Sequence, residues 1–168
     1  MEQRPLILTA EIDEKAQTFF NQKRQEFFPP ERNYLDAHLT LFHKLPPENL
    51  EIMKQDIKQN LNGSASYQAE AIDIMFMGFG SAYLIQCDPL IALRNSLAKK
   101  WQADLTKQDQ QPFKPHITFQ NKVPAEEAKR VFAEQKEIFE PFSFKITGLK
   151  LWYYNNGPWE AVENGFIS

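Results

Sequence analysis

Read by its hydrophobic and polar pattern, the chain alternates short apolar runs with longer amphipathic ones. Residues 4–12 (RPLILTAEI) read as a strand, and the run from Asp13 (DEKAQTFFNQKRQEFF) reads as a helix with an aspartate N-cap, ended by Pro29 and Pro30. A loop, PPERNYLDA, leads into a second strand that Pro46 and Pro47 close. Beyond it, ENLEIMKQDIKQNL spaces Leu50, Met53, Ile57 and Leu61 along one helix face, with Asn62 and Gly63 to cap its end. Two strand-like runs, YQAEAIDIMFMGF and AYLIQCD, flank Gly80 and Ser81 and predict an antiparallel hairpin. After Pro89 the segment LIALRNSLAKKWQADL is helical in pattern, and a polar loop, TKQDQQPFKP, opens another strand. Past Pro124 a charged helix, AEEAKRVFAEQKEIF, precedes a closing hairpin of FSFKITGLKLWYY and PWEAVENGF around NNGP.

The layout repeats: helix after strand, then hairpin, occurs in both halves. Two stretches mark equivalent places in it, DAHLTLFHKL and KPHITFQNKV, whose histidines His38 and His116 are 78 residues apart. Strand alternation turns His38, Thr40 and Phe42 one way and Leu39 and Leu41 the other, into the core. The second copy sets His116, Thr118 and Gln120 on one face and Ile117 and Phe119 on the other. Each motif thus places an imidazole beside a hydroxyl, roughly 6.5 to 7 Å apart at Cα by the strand rise. Two such pairs suit phosphodiester cleavage: one imidazole takes a proton from the attacking water, the other gives one to the leaving sugar oxygen, and the Thr hydroxyls hold the non-bridging oxygens. The sequence does not say which histidine is acid and which is base. An isolated His-x-Thr is an ordinary strand sequence; two at matching places in a repeated layout point to function.

Length and composition fit this picture. A chain of 168 residues fits one domain, 1–168, of two intertwined lobes, large enough to bury a core without metal or disulfide staples. Its net charge of −3 argues against a protein that coats long duplex nucleic acid, but not against a terminal phosphate. The lone Cys87 excludes an internal disulfide and a CxxC motif, which fits a reducing cytoplasm, and as a hairpin-strand residue with no neighbouring His it reads as structural. The N-terminal stretch lacks the apolar core of a secretory signal, and no segment is long and apolar enough for a membrane span.

Other candidates are less specific. Arg24, Arg32, Lys44, Lys114 and Lys122 lie near the motifs; solvated surface charge is the simpler account of any one of them, and Arg32 and Lys114 are the preferred substrate contacts. Tyr34, Phe113, Trp152 and Tyr153 can stack on a base or pack in the core; Tyr34 and Phe113 join the substrate-binding set. Alternation places His43 off the catalytic face unless the strand bends. His38, His116 and Asp36 would suit a divalent metal, yet Thr stands where a further ligand would be expected and no HxH or HxxxH spacing occurs, so neither metal nor cofactor is expected.

The runs AHLTLFHKLP and PHITFQNKV resemble the paired HxTx signatures of the 2H phosphoesterase superfamily, and within it the bacterial 2′-5′ RNA ligase, or LigT-like, family. The resemblance extends over nearly the whole chain, including the approach FFPPERN and the closing LWYYNNGPWE. It implies a bilobal α+β fold with pseudo-twofold symmetry and two antiparallel sheets facing a central cleft. It implies His38, Thr40, His116 and Thr118 as the catalytic set. It also implies metal-independent chemistry on 2′,3′-cyclic or 2′-5′-linked ribose phosphates of nucleotides or RNA ends, giving a 2′-phosphate. A role in RNA processing, a cytoplasmic location and a monomeric state are the accompanying expectations. Two alternatives keep the same cleft: a non-catalytic module that binds RNA ends or nucleotides, and a phosphodiesterase for a non-RNA cyclic phosphate such as an ADP-ribose derivative.

Overall fold

Asp13 ties the two ends of the chain together. One carboxylate oxygen accepts the Ala16 N–H at 2.8 Å and caps α1, Glu14–Phe27, while the other accepts the Lys145 N–H at 2.7 Å from a strand near the C-terminus. Replacing it with alanine removes both bonds, and an Asp13→Ala variant is expected to lose about 1–3 kcal/mol in urea unfolding. An unchanged midpoint would mean that solvent satisfies both donors.

The computed structural model describes residues 4–63 and 66–168; residues 1–3, at the head of the N-terminal stretch, and 64–65 lie outside that description. The strands are β1 (Leu6–Ile12), β2 (Leu39–Leu45), β3 (Tyr67–Phe76), β4 (Ser81–Gln86), β5 (His116–Gln120), β6 (Phe142–Tyr154) and β7 (Trp159–Ile167). Helices α2 (Leu50–Leu61), α3 (Asp88–Lys100) and α4 (Ala125–Ile138) complete the fold. These agree closely with the pattern. The α3 helix starts before Pro89 rather than after it, since a proline in the first turn has no N–H to satisfy. Cys87 accordingly occupies the N-cap position of α3, without a side-chain capping bond, instead of lying within a strand; it is buried, and burial pushes its thiol pKa up. Among the described residues no helix is long and apolar enough to cross a membrane.

All the strands pair antiparallel, in the order β2-β1-β6-β3-β4-β5, with β7 also on β6. Exchanging β1 with β4, β2 with β5 and β3 with β6 reverses this order onto itself, so the fold carries a pseudo-twofold between β3 and β6. The two sheets expected from the sequence are the halves of one ladder. The reason is the length of β6: its first residues, from Phe142 to Ile146, pair with β3, and the stretch from Ile146 to Tyr153 pairs with β1. Each half's last strand therefore pairs with the other half's first strand.

The helices pack across the two halves, with α1 on β5, α2 on α3, and α4 on β3 as well as on β4. Phe20 of α1 is wholly buried, its ring edge-on to those of Tyr83 and Phe144 at centroid distances of 5.2 and 5.6 Å. Leu6, Leu8 and Ala10 of β1 point into the core, leaving Ile7, Thr9 and Glu11 on the opposite face. The terminal strands β2 and β5 come within 8 Å of each other at Cα, and His116 is close enough for its charge to bear on His38.

Candidate active site

Strand pairing fixes which way each motif faces. Thr40 is the Cα partner of Thr9 on β1, and Leu39 that of buried Ala10, so Thr40 shares the face of Thr9 and Glu11. On the other half Thr118 pairs with Ala82 and His116 with Leu84, while Ile117 pairs with the core residue Tyr83. His38, immediately before β2, and His116, at the start of β5, hold corresponding positions.

Beyond each threonine strict alternation fails. The register slips between Thr9↔Thr40 and Leu8↔Phe42, and again between Ala82↔Thr118 and Ser81↔Gln120. A bulge of one residue turns two consecutive side chains to one side. Leu41 and Phe42 are consequently both buried, as are Phe119 and Gln120. Phe42 and Gln120 therefore leave the catalytic face on which the sequence pattern had placed them. The strand bend has a second result: His43 lines a cavity with Ile7, on the same side of β1 as Thr9.

The two imidazoles are held identically. Nδ1 of His38 lies 2.8 Å from the Asp36 carbonyl, and Nδ1 of His116 lies 2.8 Å from the Lys114 carbonyl. A carbonyl only accepts, so each Nδ1 carries a hydrogen and each neutral ring presents the lone pair of Nε2. The loop before His38 is anchored by α1: Asn21 Oδ1 accepts the Ala37 N–H and Gln17 Nε2 donates to the Ala37 carbonyl, both at 2.8 Å. Burial depresses the His38 pKa to about 4; the Asp36 carbonyl works the other way, and charges on Arg24, His43 and His116 add to the depression. Arg24 itself is buried and donates to the Asn33 side chain at 3.1 Å and the Thr118 carbonyl at 3.3 Å; burial lowers its pKa to about 10, and Asp36 opposes this. It thus links α1 to the second motif. The Thr118 hydroxyl approaches Met77 Sδ at 3.8 Å, in the β3–β4 turn. That turn lies against β5 because Gly80 has no side chain: a Cβ there would collide with the Gln120 carbonyl.

A cavity of about 570 Å³ opens beside His38. Thr9, Glu11, Lys150, Trp152, Trp159 and Tyr34 contribute to its wall, but His116 does not. Trp159 contacts the His38 ring at a centroid distance of 4.5 Å, and Trp152 donates Nε1–H to Thr9 Oγ1 at 2.9 Å. Lys150 stands 4.1 Å over the Trp152 ring and 3.9 Å from Glu11, whose pKa is raised by burial and by Asp36 against the pull of Lys150. Trp159, Lys150 and Glu11 are the residues that sequence reading missed. For Lys150 and Glu11 the signal lay in the β1–β6 register, which sets Lys150 against Thr9, two residues before Glu11 on the same face.

Of the expected substrate contacts, Tyr34 lines this cavity and is exposed, whereas Arg32, Lys114 and Phe113 are not part of its wall. Arg32 is exposed in a short turn, and Lys114 contributes its carbonyl to His116 while its side chain is exposed. Phe113 packs against the core with the Arg94 guanidinium 5.3 Å from its ring centre. Among the described residues no cluster of three or more His, Cys, Asp or Glu side chains is placed to hold a metal ion.

A family model described as the 2′-5′ RNA ligase superfamily matches residues 12–158. The chain belongs to that superfamily. Its fold is similar to that of E. coli LigT complexed with 3′-AMP, at 16% identity and a TM-score of 0.65 over 99% of each chain. It is also similar to TT0787 of Thermus thermophilus, at 16% identity and a TM-score of 0.62 over 95% of each chain. E. coli LigT complexed with NADP+ gives 18% identity and a TM-score of 0.61 over 96% of each chain. No curated protein matches the chain by sequence. The resemblance read from the paired motifs and the α+β class are borne out.

Proposed function

We propose that this superfamily member is a metal-independent phosphodiesterase that opens 2′,3′-cyclic phosphates or cleaves 2′-5′ linkages on nucleotides or RNA ends. His38, Thr40, His116 and Thr118 are its catalytic set, within a single domain of two intertwined lobes. The observation that carries this reading is the matched placement of two His-Thr pairs where β2 and β5 begin, each His held through Nδ1 by the carbonyl two residues before it. Each imidazole is followed two residues later by a threonine hydroxyl and not by a further metal ligand, which supports metal-free chemistry. The similar E. coli LigT structures hold 3′-AMP, NADP+ and ATP, which favours a nucleotide substrate.

In hydrolysis of a 2′,3′-cyclic phosphate, the water oxygen bonds to phosphorus as the bond from phosphorus to O3′ breaks. One imidazole takes the water proton and the other delivers a proton to O3′, leaving a 2′-phosphate. His38, with its depressed pKa, suits the base, and His116 then serves as the acid. Thr40 and Thr118 donate to the non-bridging oxygens, where negative charge develops. Because a base must be unprotonated, the acid limb of kcat/KM is expected near pH 4, with the rate falling about tenfold per pH unit below it. A limb near the ordinary histidine value would reverse the assignment of the two roles. The reading as a whole is tested by offering 2′,3′-cyclic AMP and 3′,5′-cyclic AMP side by side. Opening of the first to 2′-AMP with the second left intact is expected; equal turnover of both, or a 3′-AMP product, would overturn it.

A further inference from the structure

A second cavity, of about 810 Å³, lies on the same face of β1 as the first. Ile7 borders it where Thr9 borders the cavity beside His38, and Trp159, the ring against His38, lines both. Both volumes fall within the roughly 300–1,000 Å³ of small-molecule sites. The second wall carries two cationic or hydrogen-donating side chains, His43 and Lys44, with Gln108, Asn156 and Tyr154. Glu48 and Asp104 share it and suit sugar hydroxyls and base-edge donors, not phosphate.

His43 is fixed there by a buried carboxylate from far along the chain. Asp109, 1% exposed, accepts the backbone N–H of His43 at 2.9 Å, that of Lys44 at 2.9 Å, and contacts His43 Nδ1 at 3.2 Å. Arg94, also buried, donates to the Asp109 and Leu41 carbonyls at 2.7 and 3.1 Å and so locks the bulge to this loop. Burial alone would raise the Asp109 pKa, but the hydrogen bonds from His43 and Lys44 outweigh it and keep the carboxylate ionised. With Nδ1 engaged, His43 presents Nε2 outward, and its side chain is 45% exposed. A packing role would need no imidazole at an exposed position.

We propose that this cavity is a second nucleotide subsite: the cyclic or 2′-5′ phosphodiester sits at His38 and His116 while the neighbouring nucleotide lies across Trp159, its phosphate against His43 and Lys44. The preferred substrate is then an oligonucleotide end, not a mononucleotide. The inference rests on the proposed function of the His38–His116 site. The test compares 2′,3′-cyclic AMP with the dinucleotide ApA bearing a terminal 2′,3′-cyclic phosphate, in wild type, His43→Ala and Lys44→Ala. The dinucleotide is expected to show about tenfold or higher kcat/KM, and each variant to lose about tenfold more on it than on the mononucleotide, the size of one charge-assisted hydrogen bond. Binding of 2′-AMP and of ApA 2′-phosphate, followed by tryptophan fluorescence, asks the same question without turnover. Turnover with no dinucleotide preference overturns the subsite and leaves the proposed function intact. A dinucleotide preference in binding that His43→Ala removes, with neither substrate turned over, supports the subsite and overturns the catalytic reading. Equal losses on both ligands in the variants overturn the subsite.

Discussion

Replacing His38 or His116 with alanine is expected to lower kcat/KM on 2′,3′-cyclic AMP by on the order of 10³-fold each, within the range that positioned acid–base groups supply. The reasons are local. Each ring is locked by one Nδ1–H···O=C bond at 2.8 Å, so its Nε2 is preoriented. His43, although close enough for its charge to bear on His38, is bound to Asp109 and cannot substitute without breaking that contact. The double variant is expected to be little worse than either single one, because an acid and a base that act in one step are lost as a unit. His38 is half-buried, so His38→Ala needs a stability control; acid unfolding gives one. With its folded pKa below the unfolded value, the unfolded state binds more protons between about pH 6.5 and pH 4, and the neutral ring lowers stability as pH falls through that window. The alanine variant should lose that part of the pH dependence. Retention of more than a tenth of the wild-type rate by either variant would remove that residue from the catalytic step.

The largest loss of stability is expected for Phe20→Ala, about 3–5 kcal/mol. Phe20 is wholly buried where α1 crosses onto the other half of the fold, among Tyr83, Phe142 and Phe144, at ring-centre distances of 5.2, 5.7 and 5.6 Å. Its deletion leaves a cavity walled by aromatic rings, which interlock and relax little. Total stability of a domain is about 5–15 kcal/mol, so the loss takes a large share of it. The consequence reaches the site, because the same helix carries Gln17 and Asn21, which hold the His38 loop, and Arg24, which holds Thr118. Urea unfolding measures the change directly. A loss below about 1 kcal/mol would mean that α1 is not docked as described.

Much of the fold was legible because its elements are strongly periodic. Met53, Ile57 and Leu61 form the buried face of α2 at the predicted spacing, and Asp13 caps α1 from the predicted position. The pairing of the motifs was legible too, because Thr two residues after His is a local pattern. What escaped depends on partners far along the chain. Nothing within LTLFHKL shows that β2 bulges; that requires the register against β1, and with it Phe42 moves into the core and His43 comes round to the open face. Likewise Gln120 reads as polar and exposed, yet the bulge after Thr118 buries it. Trp159 read only as a residue of the closing hairpin strand, and its place against the His38 ring is set by the fold. The carboxylate holding His43 comes from Asp109, in a polar loop 66 residues away that has no periodicity to read.

The exchange of strands and helices between halves also bears on the chemistry. Arg24, on the helix before the first motif, reaches the backbone of the second, and Arg94, on the helix before the second, reaches the backbone of the first. In the proposed reaction two imidazoles from different halves act on one phosphate and need such cross-links to keep their separation, since small misplacements of catalytic groups are costly in rate. The buried guanidiniums supply them with charge-assisted bonds to carbonyls.

The central claim is that two histidines on matched strands cleave a phosphodiester without metal. The measurement that tests it most directly is the rate of 2′,3′-cyclic AMP opening by protein stripped of metal and assayed in EDTA, beside His38→Ala and His116→Ala. Undiminished formation of 2′-AMP by the wild type, with both variants reduced by on the order of 10³-fold, is the predicted result. Activity that vanishes in EDTA and returns with a divalent cation, or that survives in the histidine variants, would contradict it.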